Sequence, residues 1–173
     1  MRSLGVTSIF LGGRTFVNGL PIAGKGCVGL VVKARIDDRI CALKIRRVDA
    51  DRKNMDAEVR FHQIANDAGV GPQLGRHTKN FVSMEFAEGK SIIEWADVAI
   101  KDNMRRITRS VLEQCYRLDR AGLDHGELSR LDRHVIISHT PVIIDFESSS
   151  TARKTSNVTA VTQSIFLYGP IAI

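Results

Sequence analysis

The stretch GKGCVGLVVKARIDDRICALKIR, residues 24–46, decides how this chain is read. Glycines at 24, 26 and 29 permit a tight turn whose N–H groups can approach a phosphate without interference from a Cβ. A dinucleotide-binding unit would follow such glycines with a helix. Here Leu-Val-Val-Lys-Ala-Arg-Ile follows, a strand, so the segment reads as a hairpin able to cover phosphates. In the next strand, ICALKI (40–45), alternation puts Ile40, Ala42 and Lys44 on one face. A lysine among small and apolar neighbours either snorkels at the strand end or meets a carboxylate.

Working outward, residues 5–45 read as strands punctuated by Gly12-Gly13, Asn18-Gly19 and Asp37-Asp38. Over 55–68 the period changes: Ala57, Phe61, Ile64, Ala65 and Ala68 recur at helical spacing, and Gly69 closes the element. Glu58 falls on the side of Phe61 and Ala65, bordering the buried stripe. An ion pair with Lys44 would account for both misplaced charges. FVSMEF (81–86) is a strand, followed by a turn at AEGKS. A helix over about 103–121 carries the stripe Met104, Ile107, Val111, Cys115 and Leu118, and Gly122 stops it. A polar loop (124–134), short strands VIIS and VIID around a His-Thr-Pro turn, a Ser/Thr-rich loop (148–159) and a short apolar end complete the chain. The order predicts an α+β chain of two lobes hinged near 86–92.

The composition agrees with a folded chain. Of 173 residues, 43% are hydrophobic and 25% charged, and 25 Lys+Arg against 19 Asp+Glu give a formal charge of +6. That is enough apolar material for a core, which excludes wholesale disorder. No apolar run reaches the roughly 18–20 residues that span a bilayer. The N-terminal MRSLGVTSIFLGG reads as a buried first strand rather than a signal peptide, so a cytoplasmic location is expected. Cys27, Cys41 and Cys115 form no CxxC, which argues against a zinc or disulfide framework; their apolar flanks predict buried free thiols. Basic residues are scattered among acidic ones with few aromatics, the pattern of a solvated face rather than of a base-stacking surface.

Two further constellations complete the set. Asp124-His125-Gly126-Glu127-Leu128 follows the long helix, and Val142-Ile143-Ile144-Asp145-Phe146-Glu147 ends an apolar run on a carboxylate suited to a divalent metal. Taken in order, these residues resemble the eukaryotic-like protein kinase superfamily, closest to its small atypical archaeal-type members akin to RIO and KEOPS-complex kinases. The segment 24–31 is similar to the family's GxGxxGxV, Ala42-Leu43-Lys44 to its A-x-K, and Glu58 to its helix-C glutamate. FVSMEFAEG resembles the hinge strand, HGEL (125–128) the HGDL form of the catalytic loop, and DFE (145–147) the DFG motif. The likeness covers roughly residues 20–147.

The resemblance implies a single kinase-like domain over 1–173, of minimal two-lobed fold. It would have an antiparallel-sheet N-lobe (1–86) and a reduced helical C-lobe (87–173). It implies transfer of the ATP γ-phosphoryl group to a protein Ser/Thr hydroxyl. Gly24, Lys25, Gly26, Gly29, Val31, Ala42 and Glu85 would line the nucleotide, and Lys44, held by Glu58, would grip its phosphates. Asp145 with Asp132 would bind Mg²⁺, Glu127 would orient the hydroxyl, and His125 would organise the loop. The chain departs from the family in four places. Glu127 replaces the catalytic-loop Asp, Glu147 the DFG glycine, and either Asp132 or His134 the second metal ligand, with Asp132 favoured as the better Mg²⁺ donor. No APE motif follows Phe146, which implies a minimal peptide-substrate platform. These departures motivate the alternative of a nucleotide-binding pseudokinase scaffold. The charge of +6 motivates a third, an RNA-associated module or complex.

Overall fold

The computed structural model describes residues 2–167. The chain is α+β, and the strand pairings among the described residues are antiparallel. It divides into two compact units, residues 1–60 with 73–86 and residues 61–72 with 87–173.

In the first unit β1 (Val6–Phe10), β4 (Gly24–Lys25), β5 (Gly29–Ile36), β6 (Arg39–Arg46), β7 (Leu74–Thr78) and β8 (Phe81–Glu85) share one sheet, with β2 (Thr15–Val17) and β3 (Leu20–Ile22) as a separate hairpin. The sheet order is β1-β5-β6-β8-β7, and β4 also pairs with β5. Both tight turns are of the kind the right-handed strand twist demands. Asp37 and Asp38 (φ 46° and 63°) join β5 to β6, and Asn18-Gly19 (φ 49° and 79°) joins β2 to β3. One sheet face buries Leu4, Ile22, Val32, Ala34 and Leu43; the other collects Val28, Met55 and Val82. The helix α1 (Asp56–Asp67) opens beside that second face, just after a turn in which the Asp56 N–H donates to Asn54 Oδ1 at 3.3 Å.

The second unit takes up α1 from Phe61. It then contains β9 (Lys90–Ser91), α2 (Ile92–Ala96), α3 (Lys101–Arg120), α4 (Leu131–His134), β10 (Val135–Ile137), β11 (Pro141–Ile143) and α5 (Asn157–Phe166). Its small sheet runs β11-β10-β9. The α3 stripe is the core: Ile107, Val111, Cys115 and Leu118 are at most 1% exposed, while Met104 is half-buried. Gly122 (φ 70°) ends α3, where the Leu123 N–H donates back to Leu118 O.

Several expectations need correction. β1 is a mostly exposed edge strand, because its buried anchor is the preceding Leu4. Only Cys115 is a buried thiol, pushed up to about 12 by burial; Cys27 is exposed and Cys41 half-buried. The Ser/Thr-rich stretch is a loop only as far as Ser156, and α5 follows; the apolar end beyond Leu167 lies outside the described residues. β7, α2 and α4 were not anticipated. β7 is an exposed edge whose Gly75, Arg76 and His77 break the apolar alternation. The start of α2 is legible as a capping box, in which Glu94 N–H donates to Ser91 Oγ and Ser91 N–H to the Glu94 carboxylate. No helix among the described residues is long and apolar enough to cross a membrane.

Asn157 joins α5 to the loop after α3. At 1% exposure it donates through Nδ2 to Asp119 Oδ1 and Leu123 O, both at 2.7 Å, and accepts from the His125 N–H at 2.8 Å. Asn157→Ala removes these bonds and strands a buried N–H, so it should cost roughly 2–4 kcal/mol of unfolding free energy in urea titration. A loss under about 1 kcal/mol would contradict this account of the loop.

Candidate functional site

In the first unit the glycine segment is a hairpin. Gly24 pairs with Val31 and Lys25 with Leu30, and the Gly26 N–H donates to Gly29 O at 2.8 Å across the turn. Its tip is held down. Val28 is buried against Met55 and Val82, the Arg47 N–H donates to Val28 O, and Arg47 Nη1 donates to Gly26 O. The Arg47 guanidinium also hydrogen-bonds Asp49 and lowers its carboxyl below the ordinary value. Across β5, β6 and β8 the register sets Val31, Lys44 and Val82 side by side, with Ala42 beside Met84. Lys44 Nζ lies 2.7 Å from Glu58 Oε1, and the two residues are 3% and 2% exposed. Gly29 makes room for this lysine: a Cβ there would sit 2.9 Å from Lys44 Cγ and 3.0 Å from Cε. Lys25 and Glu85 are exposed, Gly24 and Val31 half-buried and Ala42 buried. Glu85 accepts weakly from the Gln73 N–H at 3.5 Å.

In the second unit three side chains converge. Ligand atoms of Glu127, His134 and Asp145 all lie within 4.8 Å of one another. Asp145 adopts φ 69°, a left-handed conformation that is uncommon for a residue with a Cβ and that Asp and Asn tolerate best. Asp132, favoured above as the second metal ligand, is not in this group. In the single turn of α4, Leu131 and His134 share the buried face three residues apart. Asp132 therefore points outward beside Arg133. His134, the alternative to Asp132 for that position, is in the group. Two carboxylates and an imidazole suit a divalent cation, although the nitrogen is foreign to Mg²⁺.

Behind these groups sits Phe146, 1% exposed, between two histidine rings. Its ring centroid is 5.1 Å from that of His62 and 5.3 Å from that of His125. Gly71 (φ 83°) abuts the same ring, where a Cβ would lie 2.7 Å from Phe146 Cε2. His125 Nε2 must donate to Ile144 O (3.0 Å), and His62 Nε2 to Pro72 O (2.7 Å), because a carbonyl only accepts. Burial pushes the His125 pKa down to about 4. Sequence reasoning missed His62, Asp119, Arg153 and Asn157. Arg153 Nε donates to Asp124 Oδ2 at 2.8 Å and its Nη2 to Ser148 O at 2.7 Å, bracing the loop beside Gly126. A polar residue inside a Ser/Thr-rich run carries no periodic signal of such a role.

No family model matches the sequence. An uncharacterized protein of Methanocaldococcus jannaschii is 28% identical over 89 residues, covering 51% of this chain and 77% of that protein.

Removing the Glu58 carboxylate takes from Lys44 Nζ a charged contact of 2.7 Å inside the protein. Glu58→Ala should therefore lose about 3–5 kcal/mol in chemical unfolding, while Lys44→Met combined with Glu58→Leu should recover most of it. A double variant as unstable as the single one would show that the pair's charge is not the source of the loss. The pH dependence has a definite sign for His125. Its folded pKa is depressed from 6.5 to about 4, so between those values the unfolded chain binds a proton that the folded chain refuses. The stabilisation is full above pH 6.5 and lost as pH falls toward 4, on the order of 3 kcal/mol. Unfolding titrations across this window should show that fall, flattened in His125→Gln; an identical slope in the variant would rule His125 out as its origin.

Proposed function

We propose that this chain transfers the γ-phosphoryl group of ATP to a Ser/Thr hydroxyl of a protein, as a minimal kinase with a sheet-rich and a reduced helical lobe. The observation that carries the reading is the buried Lys44–Glu58 pair at 2.7 Å, beside a glycine whose missing Cβ admits the lysine. A lysine fixed by a carboxylate suits the grip on phosphate that the motif resemblance assigns to it, and the hairpin Gly24–Gly29 suits the cover over phosphates. From the second unit, Glu127 accepts the proton of the attacking hydroxyl. The new bond forms between that oxygen and the γ-phosphorus as the bond to the departing ADP oxygen breaks. A bound divalent cation supplies charge neutralisation on the phosphate oxygens, and Glu127, His134 and Asp145 are the residues that would hold it. His125, hydrogen-bonded to Ile144 and packed on Phe146, orders the loop rather than transferring a proton. An RNA-linked complex as partner and a cytoplasmic location belong to the same proposal.

A nucleotide-binding scaffold is the second reading. It is favoured by Glu147, buried at 4% where the resemblance expects a flexible glycine.

The test is transfer of labelled γ-phosphate, to the chain itself and to a generic basic protein, by wild type, Lys44→Ala and Asp145→Ala. Incorporation that each substitution lowers at least about a hundredfold, with circular dichroism unchanged, is the expected result. Nucleotide binding without transfer favours the scaffold instead. Absence of any nucleotide binding overturns the site assignment.

A further inference from the structure

The donor set of the second unit disagrees with the hard cation that the resemblance implies. Mg²⁺ favours an all-oxygen octahedral shell and keeps several waters, whereas imidazole nitrogen suits first-row transition-metal dications, Fe²⁺, Ni²⁺ and Zn²⁺ most and Mn²⁺ at the weak end of the series. His134 is only 5% exposed, and among the described residues it makes no hydrogen bond through either ring nitrogen. Nδ1 is buried without a partner, and Nε2 stands 3.8 Å from Glu127 Oε2, too far for a hydrogen bond. A buried polar ring left in that state is costly unless something outside the chain takes up its lone pair.

We propose that Glu127, His134 and Asp145 form a site that selects a first-row transition-metal dication, such as Mn²⁺, over Mg²⁺. With the imidazole neutral, the three groups carry a formal charge of −2, matched to a dication. Two donors on opposite sides of one ion, each about 2.2 Å away, are about 4.4 Å apart. Adjacent donors are about 3.1 Å apart, so three ligand atoms that all lie within 4.8 Å of one another close on one ion through side-chain shifts on the order of an ångström. One carboxylate oxygen each from Glu127 and Asp145 suffices, which leaves the second oxygen of Glu127 for an acceptor hydroxyl. Further coordination positions fall to water or phosphate oxygens. The inference names the cation of the site proposed above. Its test runs without nucleotide, so failed phosphoryl transfer and failed cation binding are read separately.

The experiment is a Mn²⁺ titration of the full chain followed by electron paramagnetic resonance of the free ion, with Mg²⁺ as competitor. One Mn²⁺ should bind at least about tenfold more tightly than Mg²⁺. His134→Asn, which removes the nitrogen donor, should weaken Mn²⁺ at least about tenfold and change Mg²⁺ by less than about threefold. Should that variant not fold, wild type still answers by nuclear magnetic resonance. Substoichiometric Mn²⁺ should broaden the His134 ring signals before those of the exposed His77 and His139. Equal affinity for the two ions, an unchanged Mn²⁺ titration in a folded His134→Asn chain, broadening that spares His134, or no Mn²⁺ binding would each overturn the proposal.

Discussion

Lys44 and Glu58 sit 2.7 Å apart at 3% and 2% exposure, and the first unit is arranged around that buried charge. Inside a protein the Coulombic attraction of such a pair is largely spent on stripping water from both ions, and apolar side chains of similar volume do as well for stability. What the pair provides is a fixed position for an ammonium group. Several features of the unit serve that position. β6 presents Lys44 on the same face as Val31 of β5 and Val82 of β8. Gly29 withholds the Cβ that would collide with the lysine stem. Met55, 1% exposed, packs with Val28 and Val82 one turn before Glu58, so the start of α1 is set by apolar contacts rather than by the ion pair it delivers.

The second unit solves a related problem with rings instead of charges. Asp145 must hold a left-handed backbone, which costs about 1–3 kcal/mol for a residue with a Cβ. The next residue compensates. Phe146 is fully buried between His62 and His125, each of them locked by a hydrogen bond to a main-chain carbonyl. Gly71 lets the backbone approach the same ring. The carboxylate is thus positioned by an aromatic anchor one residue away, and His125 stays neutral because protonation would put a charge among apolar neighbours.

The legible parts of the chain were those with strong periodicity or a special backbone need. The β5–β6 hairpin, α1 and α3 emerge from alternation, helical spacing and the stops at Gly69 and Gly122. The Lys44–Glu58 pair emerges because each residue is misplaced on an apolar face. What escaped was of another kind. Asn157 and Arg153 act through hydrogen bonds to main-chain groups distant in sequence, and Ser, Thr and Asn look alike whether they end a loop or begin a helix. Asp132 was preferred over His134 on metal chemistry alone. What the sequence did not show is the single turn of α4, whose buried face is shared by Leu131 and His134 and leaves Asp132 outside. A helix of four residues is too short to announce itself by period.

That turn also makes sense of Glu127. An aspartate at this position would end roughly one C–C bond, about 1.5 Å, nearer the backbone. Glu127 Oε2 already stands 3.8 Å from His134 Nε2, beyond hydrogen-bond reach, so the shorter side chain would leave a still wider gap. An asparagine at 134 would fall short from the opposite side, since its amide ends nearer the backbone than a ring nitrogen does. The glutamate and the histidine are therefore not two independent departures from the motif they resemble. Their lengths are matched to each other, and with Asp145, whose backbone is left-handed, they bring a nitrogen and two carboxylates within 4.8 Å of one another.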